Sequence, residues 1–345
     1  MKKDSLNISR NKALNLLKGL ACIVVVLIHI RFPGIVGEIV WQSIASFAVP
    51  IFFMIAGYFA FEKDEYVIKK RMLKILKFFF IGYMSYLIYY ISVETYSGTL
   101  FEWLSRNFRL YTPIQLTIFC TVSFLYPLWY LIAMTETYFC WYFIVQQKKE
   151  LIAIKTIPFL FIAMILFDIY CQTKNVPWMF GMNFLLRAMP YFLLGYFFRI
   201  KEHFFKSFSF SAIIMVVSLG SLFSIIPIVL NFQYKISIVG NVLYSLGIFA
   251  LAIKVPNKSY CKVLEYIGDK LSLNVYLYHY LVYFVIKNIC NCCNFDFDIK
   301  TGLFGWIRPI VIVLLTLMFA QMIEMIKNRK FRTSQLPKVK ESLDV

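Results

Sequence analysis

Long apolar stretches alternate with short basic ones along the whole chain. Ten apolar stretches can be drawn, near 13–31, 41–62, 76–95, 125–146, 154–172, 182–199, 211–232, 236–254, 271–289 and 307–326. A bilayer core of about 30 Å needs about 20 mostly apolar residues per helix. Each stretch is therefore expected to be one transmembrane helix. The fourth is the least regular, because apolar residues also run upstream from Ile114. That upstream piece reads as re-entrant or interfacial.

The polar punctuation carries an orientation. With ten alternating helices and a cytoplasmic N-terminus, 27 Lys and Arg fall in cytoplasmic segments and 8 in outer ones, with Arg187 inside a span. Lys12, Arg71, Lys148, Lys201, Lys262 and Lys330 are on the cytoplasmic side. Excess Lys and Arg marks cytoplasmic loops. A missed or extra helix would invert the bias downstream, and it does not invert. The expectation is an all-α polytopic bundle of about ten helices with both termini cytoplasmic. Residues 1–345 form one domain, with 1–12 and 328–345 as cytoplasmic tails. The basic start leads into a long apolar stretch with no clear small-residue cleavage site, so a retained first helix is expected. The longest outer loops are Thr95–Pro113 and 290–306. No Walker-type or G-x-G-x-x-G loop and no internal repeat is visible, so chemistry belongs inside the bundle or at its two faces.

Composition agrees with this reading. Of 345 residues, 60% are hydrophobic and only 16% charged, and mean hydropathy is +0.70. A soluble domain carries about a quarter charged residues. A cytosolic globular enzyme, a disordered chain and a collagen-like chain are excluded. The 36 Phe and 23 Tyr suit lipid-facing and interfacial positions. The net charge of +18 fits basic loops held against anionic lipid rather than nucleic acid. Among eight cysteines, Cys22, Cys120, Cys140 and Cys171 lie in apolar stretches, where thiols act as small hydrophobes. Cys290, Cys292 and Cys293 have poor spacing for zinc. They form a disulfide or nothing, and no metal is expected.

Ionisable residues in hydrocarbon are costly, so each is a functional candidate. They are Lys18, His29, Glu136, Asp168, Arg187, His279 and Glu324. Lys18 and His29 are eleven residues apart, which places them on one helix face, separated by roughly 16 Å along the axis. Two readings stand: a cation for a ligand below with an acid/base group above, or two side chains reaching the two interfaces. His279 lies roughly 12 Å into the ninth span, as an acid/base group or a hydrogen-bonded core histidine. Arg71 and Lys74, three apart on one face, form either a phosphate cradle or an ordinary basic cluster. Arg187 needs a carboxylate partner or a wet cavity. Asp168 and Glu136 are the two candidate partners. Glu324 reads as interfacial, and His203 as a surface residue in a basic loop.

Four stretches resemble the membrane acyltransferase-3 family, whose members O-acylate bacterial surface glycans. The first is Arg10-Asn11, then Leu16-Leu17-Lys18-Gly19-Leu20-Ala21 and His29, similar to the family's opening motif of a basic residue eleven positions before a His. The second runs from Phe47 through Pro50, Phe53 and Gly57 to Tyr58, similar to V-P-x-F-F-x-x-S-G-Y. The third is Leu128-Trp129-Tyr130-Leu131. The fourth is Ile267-Gly268, Ser272-Leu273 and Tyr276-Leu277-Tyr278-His279, similar to G-x-x-S-x-x-x-Y-L-x-H. Weaker echoes are Tyr191 to Gly195 and the pair Arg71/Lys74. The resemblance spans nearly the whole chain, in order. Lys18 stands where many members have Arg, Ala56 where Ser is usual, and Lys74 where the R-x-x-R pattern has its second Arg.

The resemblance implies an O-acyltransferase of the bacterial cell membrane. Its donor is acyl-CoA, most often acetyl-CoA, reached from the cytoplasm. Its acceptor is a sugar hydroxyl of a cell-surface or lipid-linked polysaccharide, as in exopolysaccharide or capsule biosynthesis. A hydroxyl attacking a thioester needs a general base, expected to be His29. Lys18, Arg71 and Lys74 are expected to hold the CoA phosphates. His279 with Tyr276 orients the acyl group or acts as second base. Ser272 is a helper, and Glu136, Arg187 and Trp129 line the bundle interior. The competing class is a proton-coupled transporter or flippase, against which stand the absence of repeat symmetry and of any span clearly broken by a Gly/Pro pair at its centre. A third is a non-catalytic partner in glycan assembly.

Overall fold

The computed structural model describes residues 11–120, 124, 126–232, 237–299 and 301–334. Arg10 and most of the two expected tails lie outside them. Of the described residues 83% are helical, and none is in a strand. In order the helices are α1 (Lys12–His29), α2 (Gly34–Gln42), α3 (Ala48–Tyr58), α4 (Glu65–Tyr96), α5 (Leu100–Asn107), α6 (Thr112–Phe119), α7 (Trp129–Gln146), α8 (Glu150–Lys155), α9 (Ile157–Thr173), α10 (Phe184–Arg187), α11 (Met189–Ile200), α12 (Glu202–Ser207), α13 (Phe210–Val229), α14 (Ser237–Lys254), α15 (Lys262–Tyr266), α16 (Ser272–Cys292) and α17 (Gly302–Ser334).

Helix starts follow the local chemistry. The Asn11 side chain accepts from the Leu14 N–H at 2.9 Å, and Asp64 from Val67 at 2.8 Å. Each satisfies a backbone donor that a first turn leaves open. Asn183 and Ser209 do the same for α10 and α13. α1 ends where Phe32-Pro33-Gly34 turns the chain, with Gly34 at φ +63°. Proline cannot continue the helix, and glycine takes the left-handed conformation without a Cβ penalty.

Among the described residues six helical segments are long and apolar enough to cross a membrane: Lys12–His29, Gly34–Tyr58, Glu65–Tyr96, Phe210–Val229, Ser237–Lys254 and Gly302–Arg329. The other four apolar stretches are also helical but differ from simple spans. The upstream piece of the fourth is a separate short helix, α6. The fifth is the 17-residue α9. The sixth breaks at Ala188, between α10 and α11. Pro190, second in α11, has no N–H for the turn before it and so cannot extend a helix from upstream. The sixth stretch is thus two helices rather than one, without a Gly/Pro pair at its centre. The second stretch also has a joint, a 3₁₀ turn over Ile44–Phe47.

Large apolar side chains face outward from many helices, among them Phe159, Leu166, Phe223 and Met318. This is a surface suited to lipid. Close backbone approach organises the interior. A Cβ on Gly57 would fall on the Phe192 carbonyl, and one on Gly195 on the Met54 carbonyl. These two glycines let α3 and α11 touch along their backbones, as small residues do in membrane helix pairs. Gly19 and Gly268 play the same part between α1 and the π-helical turn Ile267–Leu271 that leads into α16. The Tyr86 hydroxyl on α4 donates to the Leu277 carbonyl at 3.1 Å, tying α4 to α16. All eight cysteines are free thiols, so Cys290, Cys292 and Cys293 form no disulfide.

Candidate functional site

α1 and α16 carry His29 and His279 to one place. The His29 and His279 rings lie 5.2 Å apart, centroid to centroid, and Tyr280 meets His29 edge-on at the same separation. His279 is fully buried. Its Nδ1 sits 2.8 Å from the Tyr276 carbonyl and 3.2 Å from that of Val275. Carbonyls only accept, so Nδ1 carries the proton and Nε2 keeps its lone pair. Among the described residues Nε2 has no hydrogen-bond partner.

Tyr276 is held by its own bond. Its hydroxyl donates to the Pro127 carbonyl, and Tyr130 lies against its ring at 5.3 Å. The hydroxyl is therefore engaged, and Tyr276 meets His279 through its carbonyl. Tyr130 in turn packs on Phe53 at 4.7 Å, and Trp129 approaches Phe53 at 6.3 Å. Residues from all four motif stretches thus meet around His279. Ser272, in contrast, bonds back to the Gly268 carbonyl at 2.9 Å.

His29 is half-buried and opens on a cavity of about 450 Å³ lined by His29, Ile30, Arg31, Tyr283, Asp298 and Arg308. Asp298 organises it. One carboxylate oxygen accepts from the Tyr283 hydroxyl at 2.5 Å and faces Arg308 at 3.5 Å; the other takes Lys287 at 2.5 Å. Burial alone would raise the Asp298 carboxyl. Lys287 and the Tyr283 hydroxyl, with Arg308 nearby, outweigh that and hold it below its usual value. Arg31 stacks on Trp41 at 3.3 Å and faces Glu38 at 3.8 Å. Sequence reasoning missed this group because Lys287 and Arg308 fall at the ends of their apolar stretches and read as outer-loop charges. The signal was Arg308 itself, a second arginine within an apolar stretch beside Arg187.

The expected phosphate-binding residues are elsewhere. Lys18 is half-buried on α1, with Cys22 one turn above. Arg71 is half-buried near the N-terminal end of α4 and donates to the Phe59 carbonyl at 2.8 Å, with Tyr138 beside it. Lys74 is exposed on the same helix, so the two do not share one inward face. Arg187 pairs with Asp168 and also donates to the Gly181 carbonyl at 3.1 Å. Glu136 instead accepts from the Cys120 thiol at 3.1 Å. Glu324, expected at the interface, is buried, with Lys327 at 3.5 Å. His203 is exposed.

Among curated proteins and among solved structures, none matches this chain. The family model described as an acyltransferase domain, Acyl_transf_3, matches residues 11–325, which include His29, His279 and all of the four motif stretches except Arg10. On that match, covering nearly the whole length, the chain belongs to the acyltransferase-3 family.

Proposed function

We propose that this protein is a multi-pass enzyme of the bacterial cell membrane that moves an acyl group, acetyl in the simplest case, from acyl-CoA to a sugar hydroxyl of a cell-surface or lipid-linked polysaccharide. In this reading ten helices cross the bilayer, with both termini cytoplasmic. The observation that carries it is His29, paired with the buried His279 and opening on a polar cavity, within a chain of an acyltransferase family.

His29 is the general base. It borders the cavity, so it can meet an acceptor hydroxyl there and take the proton as the oxygen adds to the thioester carbonyl. A thiol is acidic for a leaving group, near pKa 8.5, so the carbon–sulfur bond breaks readily once that addition has occurred. His279 and Tyr276 are positioning residues rather than the catalytic ones expected above. His279 is sealed behind His29 with its tautomer set by the Tyr276 carbonyl. Lys18, Arg71 and Lys74 serve CoA phosphates from the cytoplasmic side. Arg71 has donors left beyond its bond to Phe59, since a guanidinium carries five N–H groups.

The broken sixth stretch, with Arg187 at the break, is the one feature that favours a transporter. Donor use separates the two. Purified protein with its thiols blocked should release free CoA from acetyl-CoA in the presence of a glycan acceptor. His29→Ala should lower that rate by about 10²–10⁴-fold. Full turnover in the variant removes His29 as base; no CoA release and no acetyl-CoA binding by the wild type would favour transport.

A further inference from the structure

Arg308 is placed as though for a ligand rather than for the protein. It is 4% exposed, yet its three polar contacts are all long: 3.5 Å to the Phe297 carbonyl, 3.5 Å to Asp298 and 3.4 Å to the Arg31 carbonyl. A charge-assisted N–H···O bond is normally about 2.7–2.9 Å. Its Nε has no hydrogen-bond partner among the described residues. A buried guanidinium usually lies against a carboxylate in a two-pronged pair. Here the nearest carboxylate is engaged by Lys287 at 2.5 Å and Tyr283 at 2.5 Å. Arg308 is left with charge and donors that nothing among the described residues matches closely. It lines the same cavity as His29, and so does Arg31.

The geometry points to an anion-recognition site: we infer that the acceptor carries a carboxylate or phosphate, which Arg308 grips beside the hydroxyl presented to His29. This inference rests on the acyl-transfer reading for the word acceptor, while the anion site itself does not. Three features support the ligand chemistry. Arg308 lines the cavity, and a guanidinium can give two N–H groups to two oxygens of one anion. The cavity wall holds Arg31 and Arg308 against Asp298; with Lys287 on Asp298 and Glu38 facing Arg31, the group keeps a net positive charge. The volume of about 450 Å³ accommodates a sugar-sized ligand. Uronic acids and sugar or glycerol phosphates both present such an anion near free hydroxyls.

The test uses purified full-length protein in detergent and two matched pairs of probes. Methyl glucuronide is set against methyl glucoside, and glycerol 1-phosphate against glycerol. Equilibrium binding is followed by ligand-observed NMR, and CoA release from acetyl-CoA is followed in parallel. The wild type should bind at least one anionic probe about tenfold or more tightly than its neutral partner, the usual scale for a hydrogen bond to a charged group. Which pair shows the gap identifies carboxylate or phosphate. Arg308→Gln should erase the gap and leave neutral-probe binding unchanged. Where Arg308→Gln does not purify as a folded protein, Lys287→Gln serves. It frees Asp298 to claim Arg308 and should shrink the gap severalfold. Equal binding of anionic and neutral probes by the wild type overturns the inference, as does a gap that survives either variant. An anionic preference with neither CoA release nor acetyl-CoA binding would leave the anion site standing and remove the acyl-transfer reading. CoA release with no anionic preference would do the reverse.

Discussion

At the scale of the residue, the two histidines have different surroundings and so different expected roles. His29 reaches the cavity, while His279 is enclosed and bonded to its own helix. A residue that acts through another shows a smaller effect than the one that meets substrate. His279→Ala should lower kcat for acyl transfer by about 10–100-fold, the range for partners that orient a reacting group. KM for acetyl-CoA should stay within about twofold, and the acid limb of the kcat/KM–pH profile should move, because His29 loses the ring beside it. A loss as deep as that of His29→Ala, with an unmoved pH profile, would make His279 the base. Both histidines were legible in the sequence, because an ionisable group inside an apolar stretch stands out. Asp298 was not. It lies in a loop among other polar residues, and only the α16–α17 turn brings Lys287, Tyr283 and Arg308 to it.

At the scale of the element, the motif glycines explain how His29 comes to face His279. Gly268 sits in the π-helical turn before α16, and a Cβ there would fall on the Asn15 carbonyl of α1. Backbone cannot yield as a flexible side chain would. Gly268→Ala should therefore push α1 from α16 and destabilise the fold by about 1–3 kcal/mol. It should also lower acyl transfer, because the rings at the far end of the two helices separate. Thermal unfolding in detergent checks the first effect and CoA release the second; an unchanged melting temperature would mean that the two segments are not packed this closely. The glycine was visible as part of a pattern, but its reason was not, since the pattern does not say which helix it meets. The break at Ala188 was missed for a related cause. Phe184–Ile200 is apolar enough to read as continuous, and Pro190 near the start of a helix is ordinary when that helix begins there.

At the scale of the whole molecule, the apolar pattern made the all-helical membrane class legible, whereas orientation rests on the charge bias alone. The cysteines supply a direct check. Cys292 and Cys293 are exposed at the far end of α16, in the turn before α17. Cys261 lies at the opposite end of that helical unit, beside α15 and the basic residues Lys258 and Lys262. With both termini cytoplasmic, the first two thiols face the outside and Cys261 the inside. In intact cells a membrane-impermeant maleimide should label the protein, and Cys292→Ser with Cys293→Ser should abolish that labelling. Cys261 should react only after the cells are opened. The His29 cavity shares its Asp298, Tyr283 and Arg308 wall with the end of the bundle that holds Cys292, so the same labelling reports which side an acceptor approaches from. Labelling of Cys261 in intact cells, with Cys292 and Cys293 silent, would invert the bundle. It would put the cationic cavity in the cytoplasm and replace an exported glycan with a cytoplasmic acceptor.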